Sequence, residues 1–399
     1  MGKESIDVEQ LKRDKKAKKD EARKISQQSK AKTQQMPPPI PLRRVMHPIP
    51  NRTTLAGAAG SFTLMTYNIL AQCLIKRHLF PDSGDMLKWK IRRKMIPDEI
   101  AYYKPDILCL QEVDSYDEFY KDALHNLGYE TEFFHHTKKN HGLLIGFKSN
   151  LFECVAYKPI DYDADTLCPA TWITGNIAQI MALRHKTQRL GLILGNTHMY
   201  WRPEAVYERL RQTAVYCRRL NDLKKDMQKE TPSLAWQSLL IGDFNTAPDD
   251  PNYAALTMTA LPSAKYDALE NSRLSPGAYV SADTINGEDG APLADQPTVP
   301  VIELVGHVHT AVPSWTSVYG CYGEIHPTVA HPSGEPKFTN YTAAFKGTLD
   351  YIFYNASEDL APQAVLEIPN EELVQPTLPN RMFGSDHVCL MTQFAFLIQ

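Results

Sequence analysis

Seven short apolar runs recur along the chain, and their length and spacing constrain the fold more than any other feature. They are "FTLMTYNI" (62–69), "DILCLQEV" (106–113), "GLLIGF" (142–147), "GLILGNTH" (191–198), "SLLIGDF" (238–244), "TLDYIFY" (348–354) and "VCLMTQFAFL" (388–397). Near-continuous apolar character over so few residues reads as β-strand, several of the strands being covered on both faces. Between them, residues 205–229 place Val206, Leu210, Ala214, Cys217, Leu220, Leu223 and Met227 at helical spacing, with Lys and Arg on the other face. A second helix is expected near 87–103, kinked or split by Pro97. Strands interleaved with helices predict an α/β domain with helices layered on β-sheet. There is no internal repeat of the kind that builds a solenoid.

With 399 residues and 43% hydrophobic content the chain can bury one large core. Its net charge of -3 is unevenly spread. Residues 1–52 carry fourteen Lys/Arg against six Asp/Glu, or +8, which leaves -11 for 53–399. An acidic body acting on a polyanion needs a cation in between, although an acidic surface also serves solubility. The seven cysteines are scattered without a C-x-x-C pair, so neither a disulfide framework nor a cysteine zinc cluster is expected. No apolar run approaches membrane-spanning length, and the start lacks the apolar core of a secretion signal. Residues 1–52, Lys-rich and then Pro-rich, are expected to be a disordered tail. The Lys12–Lys19 cluster is a candidate nuclear signal, so the expected compartment is cytoplasmic or nuclear, not secretory. The folded domain is expected over 53–399. Residues 271–340, rich in Pro, Gly, Ser and Asp, are read as a long loop insertion whose His307, His309, His326 and His331 have no metal role.

The strand runs share a further property. Asn68, Glu112, His198, Asp243 with Asn245, Asp350, and Asp386 with His387 all stand at strand edges, the last pair expected to open the final strand. Each has an ordinary explanation taken singly. Asn68 can satisfy strand-end backbone, His198 can be a hydrogen-bonded core histidine, Asp350 can pair with Lys346, and Asp243 with Asn245 can form an Asx turn before a helix capped by Asp249 and Asp250. Six strands each offering a hard ligand or general base at one end are harder to explain as independent accidents. Oxygen donors with imidazoles and no thiolate suit Mg²⁺, or Mn²⁺ in its place, better than zinc. Phosphate-ester cleavage is the chemistry such a set serves. No G-x-S-x-G elbow and no G-x-x-x-x-G-K-[ST] loop occurs, which disfavours a serine hydrolase and excludes a P-loop NTPase.

The motifs "TYNIL" (66–70), "LQEVD" (110–114), "NTHMYWRP" (196–203), "IGDFNTAP" (241–248), "GTLDYIFY" (347–354) and "GSDHVCL" (384–390) resemble, in order and spacing, the endonuclease/exonuclease/phosphatase superfamily. "THMYWRP", the "RLRQT" helix and "FTNYTAAFKGTLDYIFY" resemble its nocturnin, Angel and deadenylase branch, and "HGLLIGFK" with "GEPKF" resembles the fungal Ngl-type RNA exonucleases. The resemblance covers about residues 61–399. It implies a DNase I-like four-layer α/β sandwich with a Mg²⁺-dependent 3′ exonuclease site. In that reading Glu112 is the principal metal ligand with Asn68 beside it, and Asp243 is base or second ligand. Asn245 positions phosphate or water, His198 contacts the scissile phosphate, and His387 stabilises it, oriented by Asp350 and flanked by Asp386. Pro203 and Phe345 would hold the terminal base, with Trp201 and Arg202 beside them. Two departures stand out: Arg202 replaces an Asp of many poly(A)-preferring relatives, and His141–Leu144 replaces an Asp-Gly-Cys-Ala stretch. Both touch base preference rather than the metal set. With no leucine-rich segment before the domain, a deadenylase docking platform is not expected, and the chain reads as a monomer.

The expected activity is therefore 3′–5′ RNA exonuclease on single-stranded 3′ ends, either poly(A) tails or extensions of stable RNA precursors. A small-molecule phosphatase, acting for example on a 2′-phosphorylated dinucleotide, is the first alternative. A non-catalytic RNA-binding protein is the second, disfavoured because a binder has no use for the full polar set.

Overall fold

The apolar runs become strands in two sheets. The computed structural model describes residues 44–50, 58–274, 291–293, 297–357 and 359–397. One sheet has seven strands in the order Met46–Pro48, Leu360–Leu366, Leu390–Leu397, Ala58–Asn68, Ile107–Val113, Gly142–Lys148 and Tyr129–His135. The other has six, in the order Thr316–Ser317, Asp350–Tyr354, Ala235–Asp243, Leu190–His198, Ile177–His185 and Phe152–Asp161.

Each sheet has a parallel pair at its centre, and this topology places the site. Ala58–Asn68 runs parallel to Ile107–Val113, with Asn68 opposite Gln111. Leu190–His198 runs parallel to Ala235–Asp243, with His198 opposite Asp243. Parallel strands end at the same edge, so the polar residues that close these four runs are delivered side by side. The Asp350–Tyr354 strand is antiparallel and sets Asp350, its first residue, opposite Asp243. The Leu390–Leu397 strand is likewise antiparallel to Ala58–Asn68 and starts with Leu390 opposite Thr66, which leaves the segment before it over the same edge.

Period-two alternation divides each central strand between two environments. Met65 and Tyr67 pack with Leu108, Leu110, Ile96 and Ile100 beneath the helix Trp89–Tyr103. On the other face, Asn196 crosses between the sheets. Its Nδ2 donates to the carbonyls of Leu110 (3.0 Å) and Leu144 (3.1 Å), and its Oδ1 accepts from Gln111 Nε2 (2.8 Å). The helix Val206–Glu230 covers the second sheet, with Leu210, Ala214 and Cys217 packed on Ile180, Ile193 and Leu240. Helix, sheet, sheet and helix form the expected four layers.

Several local expectations are corrected. The helix Trp89–Tyr103 contains Pro97 and is not split by it. Residues 44–50, assigned to the tail, belong to the folded domain: Met46–Pro48 is the edge strand and Arg44 is buried, donating to the carbonyls of Glu367 and Cys389 and pairing with Glu99. The rest of the proposed tail within 1–43, with its Lys12–Lys19 cluster, lies outside the described residues. The described part of 271–340 is not a simple loop, since it contributes the helix Val301–Val308, whose Val301, Leu304 and Val308 enter the core under the long helix. All seven cysteines are free. Among the described residues no helix is long and apolar enough to cross a membrane.

Candidate active site

Three backbone irregularities aim the side chains at the strand ends. A β-bulge between Leu110 and Val113 contains Glu112 at φ 56°, a left-handed conformation that a non-glycine residue holds only at a cost of about 1–3 kcal/mol. With Gln111 turned between the sheets, the bulge redirects Glu112 to the same edge as Asn68. Gly242 has φ 140°, and a Cβ there would lie 2.1 Å from the Thr197 carbonyl oxygen, so the run "IGDFN" requires glycine before its aspartate. Asn245, at φ 47°, is the third.

The result is one buried polar centre. Asn68 Nδ2 donates to Glu112 Oε1 and to Asp243 Oδ2, both at 3.0 Å. Glu112 Oε2 accepts from the Ala71 amide at 3.0 Å. Asp243 Oδ2 lies 3.7 Å from His198 Nε2 and 3.8 Å from His387 Nε2, while its Oδ1 accepts from the Asn245 amide at 2.9 Å. His387 Nδ1 donates to Asp350 Oδ2 at 2.7 Å. Asn245 Nδ2 donates to the Met199 carbonyl at 2.8 Å, tying the Asp243 turn to the loop after His198.

Burial and neighbouring charge separate the protonation states. Burial, reinforced by Asp350, pushes the Asp243 carboxyl up to about 7. Burial holds the His198 imidazole down to about 4. For His387 burial opposes the charge, but Asp350 and the surrounding carboxylates outweigh it and raise the imidazole well above its usual range. For Glu112 burial is likewise outweighed, by His198, His141 and its hydrogen bonds, and its carboxyl is lowered. The centre thus pairs a neutral imidazole with a charged one around a single carboxylate.

Asp243, Asp350 and His387 offer ligand atoms within 4.8 Å of one another, and Asn68 joins Glu112 to the set. Asp350 Oδ1 is buried without a hydrogen-bond partner. A solvent-free carboxylate oxygen with nothing to accept, beside a second carboxyl whose ionisation burial opposes, is the electrostatic deficit a divalent cation removes. The acidic cluster fits such an ion.

All seven residues Asn68, Glu112, His198, Asp243, Asn245, Asp350 and His387 are brought together. Asp386 adjoins through Ser385, whose hydroxyl donates to the Asn68 carbonyl (2.7 Å) and lies 3.3 Å from Asp386 Oδ1. Asp386 and His387 precede the last strand, which starts at Leu390, rather than opening it. Lys346 pairs with Glu371, not Asp350. Asp250 caps the helix Pro251–Thr257 by accepting from the Asn252 amide, whereas Asp249 faces His331 at 3.3 Å. Trp201 and Phe345 are 42% and 41% exposed. Arg202 is largely buried, its guanidinium 5.2 Å from the Trp201 ring. Pro203 lies before the helix, which starts at Val206, and its carbonyl accepts from Arg209.

Other supporting residues carry no sequence signal. Buried Arg92 donates to the carbonyls of Gly384 (2.6 Å), Ile69 (2.5 Å) and Leu70, clamping the segments that carry Asn68 and Ser385. Asn176 Nδ2 donates to the His198 carbonyl at 2.9 Å. Beside His198 an open cleft is lined by Lys139, His141, Gly142, Gly175 and Asn176.

Fold and site together define a class: a two-sheet α/β sandwich whose strand ends deliver carboxylates, amides and imidazoles to one buried centre. Residues 65–387 match the Endonuclease/Exonuclease/phosphatase family, and the chain belongs to it. The "Probable RNA exonuclease NGL3" of Saccharomyces cerevisiae is 36% identical over 330 residues, 73% of this chain and 64% of the relative. The chain therefore spans just under two thirds of that protein. The "Probable RNA exonuclease C9B6.11c" of Schizosaccharomyces pombe is 34% identical over 404 residues, 88% of this chain and 79% of the relative. Among solved structures, that of ANGEL2, a 2′,3′-cyclic phosphatase, in complex with adenosine-2′,3′-vanadate has a TM-score of 0.65 at 24% identity, covering 90% of this chain and 99% of that one. This last likeness is one of fold.

Proposed function

We propose that the chain is a Mg²⁺-dependent 3′–5′ RNA exonuclease that hydrolyses phosphodiester bonds at single-stranded 3′ ends and releases 5′-nucleotides. The observation that carries this reading is Asp243, buried between two imidazoles in opposite protonation states and linked through Asn68 to Glu112. The relatives named as RNA exonucleases support the polymer class. Glu112, Asn68 and Asp243 would hold the ion, with Asp386 nearby, and a bound Mg²⁺ supplies charge neutralisation at the phosphate. Asp243 orients water and accepts its proton, held in place by the Asn245 amide. His198, kept neutral by burial, hydrogen-bonds a phosphate oxygen. His387, kept charged by Asp350, stabilises the negative charge that builds on the phosphate in the transition state. Exposed Trp201 and Phe345, with Pro203, offer base-stacking surfaces that tolerate any base, and Arg202 steadies Trp201. The protein acts as a monomer in the cytoplasm or nucleus.

The test uses 5′-labelled A-tailed and mixed-sequence RNAs and a 2′-phosphorylated dinucleotide, with Mg²⁺ or EDTA and with Asp243→Ala. The expected result is a ladder shortening from the 3′ end, abolished by EDTA and by the substitution. Phosphate release from the dinucleotide while both RNAs stay intact would overturn the reading in favour of a small-molecule phosphatase.

A further inference from the structure

Three strands from Asn68 in the sheet order, a second group of ligand-type side chains converges. His47 lies on the edge strand Met46–Pro48. Glu367 follows the neighbouring strand Leu360–Leu366, its amide donating to the Val45 carbonyl at 2.8 Å. His326 closes the short helix Tyr322–Ile325. Ligand atoms of the three lie within 4.8 Å of one another. His47 Nε2 is 3.9 Å from Glu367 Oε2, and the two imidazole centroids are 4.6 Å apart with their planes at 89°.

Two features distinguish this group from chance proximity. The Nε2 atoms of both His47 and His326 are closed to solvent and have no hydrogen-bond partner. A buried polar atom left unmet is costly, and here two such nitrogens belong to imidazoles grouped with a carboxylate. The contrast is with His136, Asp161 and Asp163, a similarly spaced group whose carboxylates are already engaged. Asp163 accepts from the Thr174 and Gly175 amides, and Asp161 accepts from the Asp163 amide. The frame around His47 is also fixed without an ion. Met46 and His47 pair with Leu366 and Val365, and the Ile368 amide donates to the Tyr322 hydroxyl at 2.9 Å.

We propose that His47, His326 and Glu367 bind a divalent transition-metal ion, zinc in particular, which pins the N-terminal edge strand to the rest of the domain. Two imidazoles and one carboxylate are a borderline donor set that favours zinc over Mg²⁺. The His47 and Glu367 side chains are 29% and 31% exposed, which leaves room for a water as fourth ligand. His326, grouped by sequence with loop histidines of no metal role, thereby acquires one. This site is independent of the strand-end centre.

The full-length protein, stripped with a chelator, is dialysed against micromolar ZnCl₂ in excess MgCl₂, which competes at the strand-end carboxylates. Bound zinc and the thermal midpoint are then measured. Wild type and Glu112→Gln are expected to retain one zinc per chain and to melt higher with zinc than without. His326→Ala and the near-isosteric Glu367→Gln are expected to lose about tenfold or more of the zinc affinity, with no zinc-dependent rise in midpoint. Circular dichroism checks that both variants fold, and Co²⁺ in place of zinc reports the site by d–d absorption that Glu367→Gln abolishes. Zinc content in both variants equal to wild type, or a wild type that takes up none, overturns the proposal.

Discussion

Asp350 sets the charge of the centre by holding His387 in one orientation and in its protonated form. Asp350→Asn keeps the shape and removes the charge, so kcat on RNA is expected to fall about 10²–10⁴-fold with little change in the circular dichroism spectrum. A second buried carboxyl offers a stability test away from the centre. Glu335 is fully buried and burial pushes it up to about 7, while Tyr253 donates to its Oε1 at 2.9 Å. Because the folded value lies above the unfolded one of roughly 4.3, its contribution to stability is fully present below about pH 4 and is lost as pH rises through 7. Glu335→Gln has no such loss. Relative to wild type it is expected to gain about 1–3 kcal/mol between pH 5 and pH 8, read from urea unfolding at the two pH values. A gap between the two proteins that does not change with pH would count against a titrating Glu335.

At the scale of elements, the two sheets must be held in register because the centre is divided between them. Asn196 makes that connection, with donors to two carbonyls of the first sheet and an acceptor for Gln111. Asn196→Leu leaves those groups buried and unpaired, and is expected to lower stability by about 2–4 kcal/mol and to reduce kcat more than it raises KM. Urea melts and steady-state kinetics decide this; unchanged kcat at lowered stability would make Asn196 a packing residue only. Much of this level was legible in the sequence. Asp243 and Asn245 close a strand, and although that stretch alone fits an Asx turn before a helix, the five other polar strand ends made it a site. Glu112 was legible as a strand-end acid, but the bulge that aims it was not, since a left-handed glutamate has no composition signal. Arg92 and Ser385 were illegible because they join segments about three hundred residues apart through backbone carbonyls, Arg92 to Gly384 and Ser385 to Asn68. The strands Tyr129–His135 and Phe152–Asp161, at sheet edges, and Leu360–Leu366, next to one, escaped notice for a different reason: each mixes buried and exposed residues, so their apolar runs are broken.

For the whole molecule, an ion bound by the native centre and not by the unfolded chain must raise stability. Millimolar Mg²⁺ is expected to raise the thermal midpoint of wild type and not of Glu112→Gln, measured by differential scanning fluorimetry. The boundary of the domain is testable in the same way. A chain starting at Ile49, which lacks Arg44 and the whole edge strand, is expected to be about 2 kcal/mol or more less stable than one starting at Arg44, because Glu99 and the carbonyls that Arg44 satisfies are left without it. Equal urea midpoints for the two would refute the boundary.

By itself the sequence determined the α/β class, the identities of the seven polar residues at the strand ends and the chemistry that their oxygen-rich, thiolate-free set can serve. These are local properties: each strand announces itself by its own apolar run, and each ligand stands next to one. Only the tertiary structure decided that the four central strands lie in two parallel pairs ending at one edge, that Asn68 bridges Glu112 and Asp243, and that His198 and His387 take opposite protonation states. The reason is that charge state follows burial and neighbouring charge, and both are set by chain segments far apart in sequence. The same holds for His47, His326 and Glu367, which no spacing connects and which only the pairing of an edge strand brings within reach of one ion.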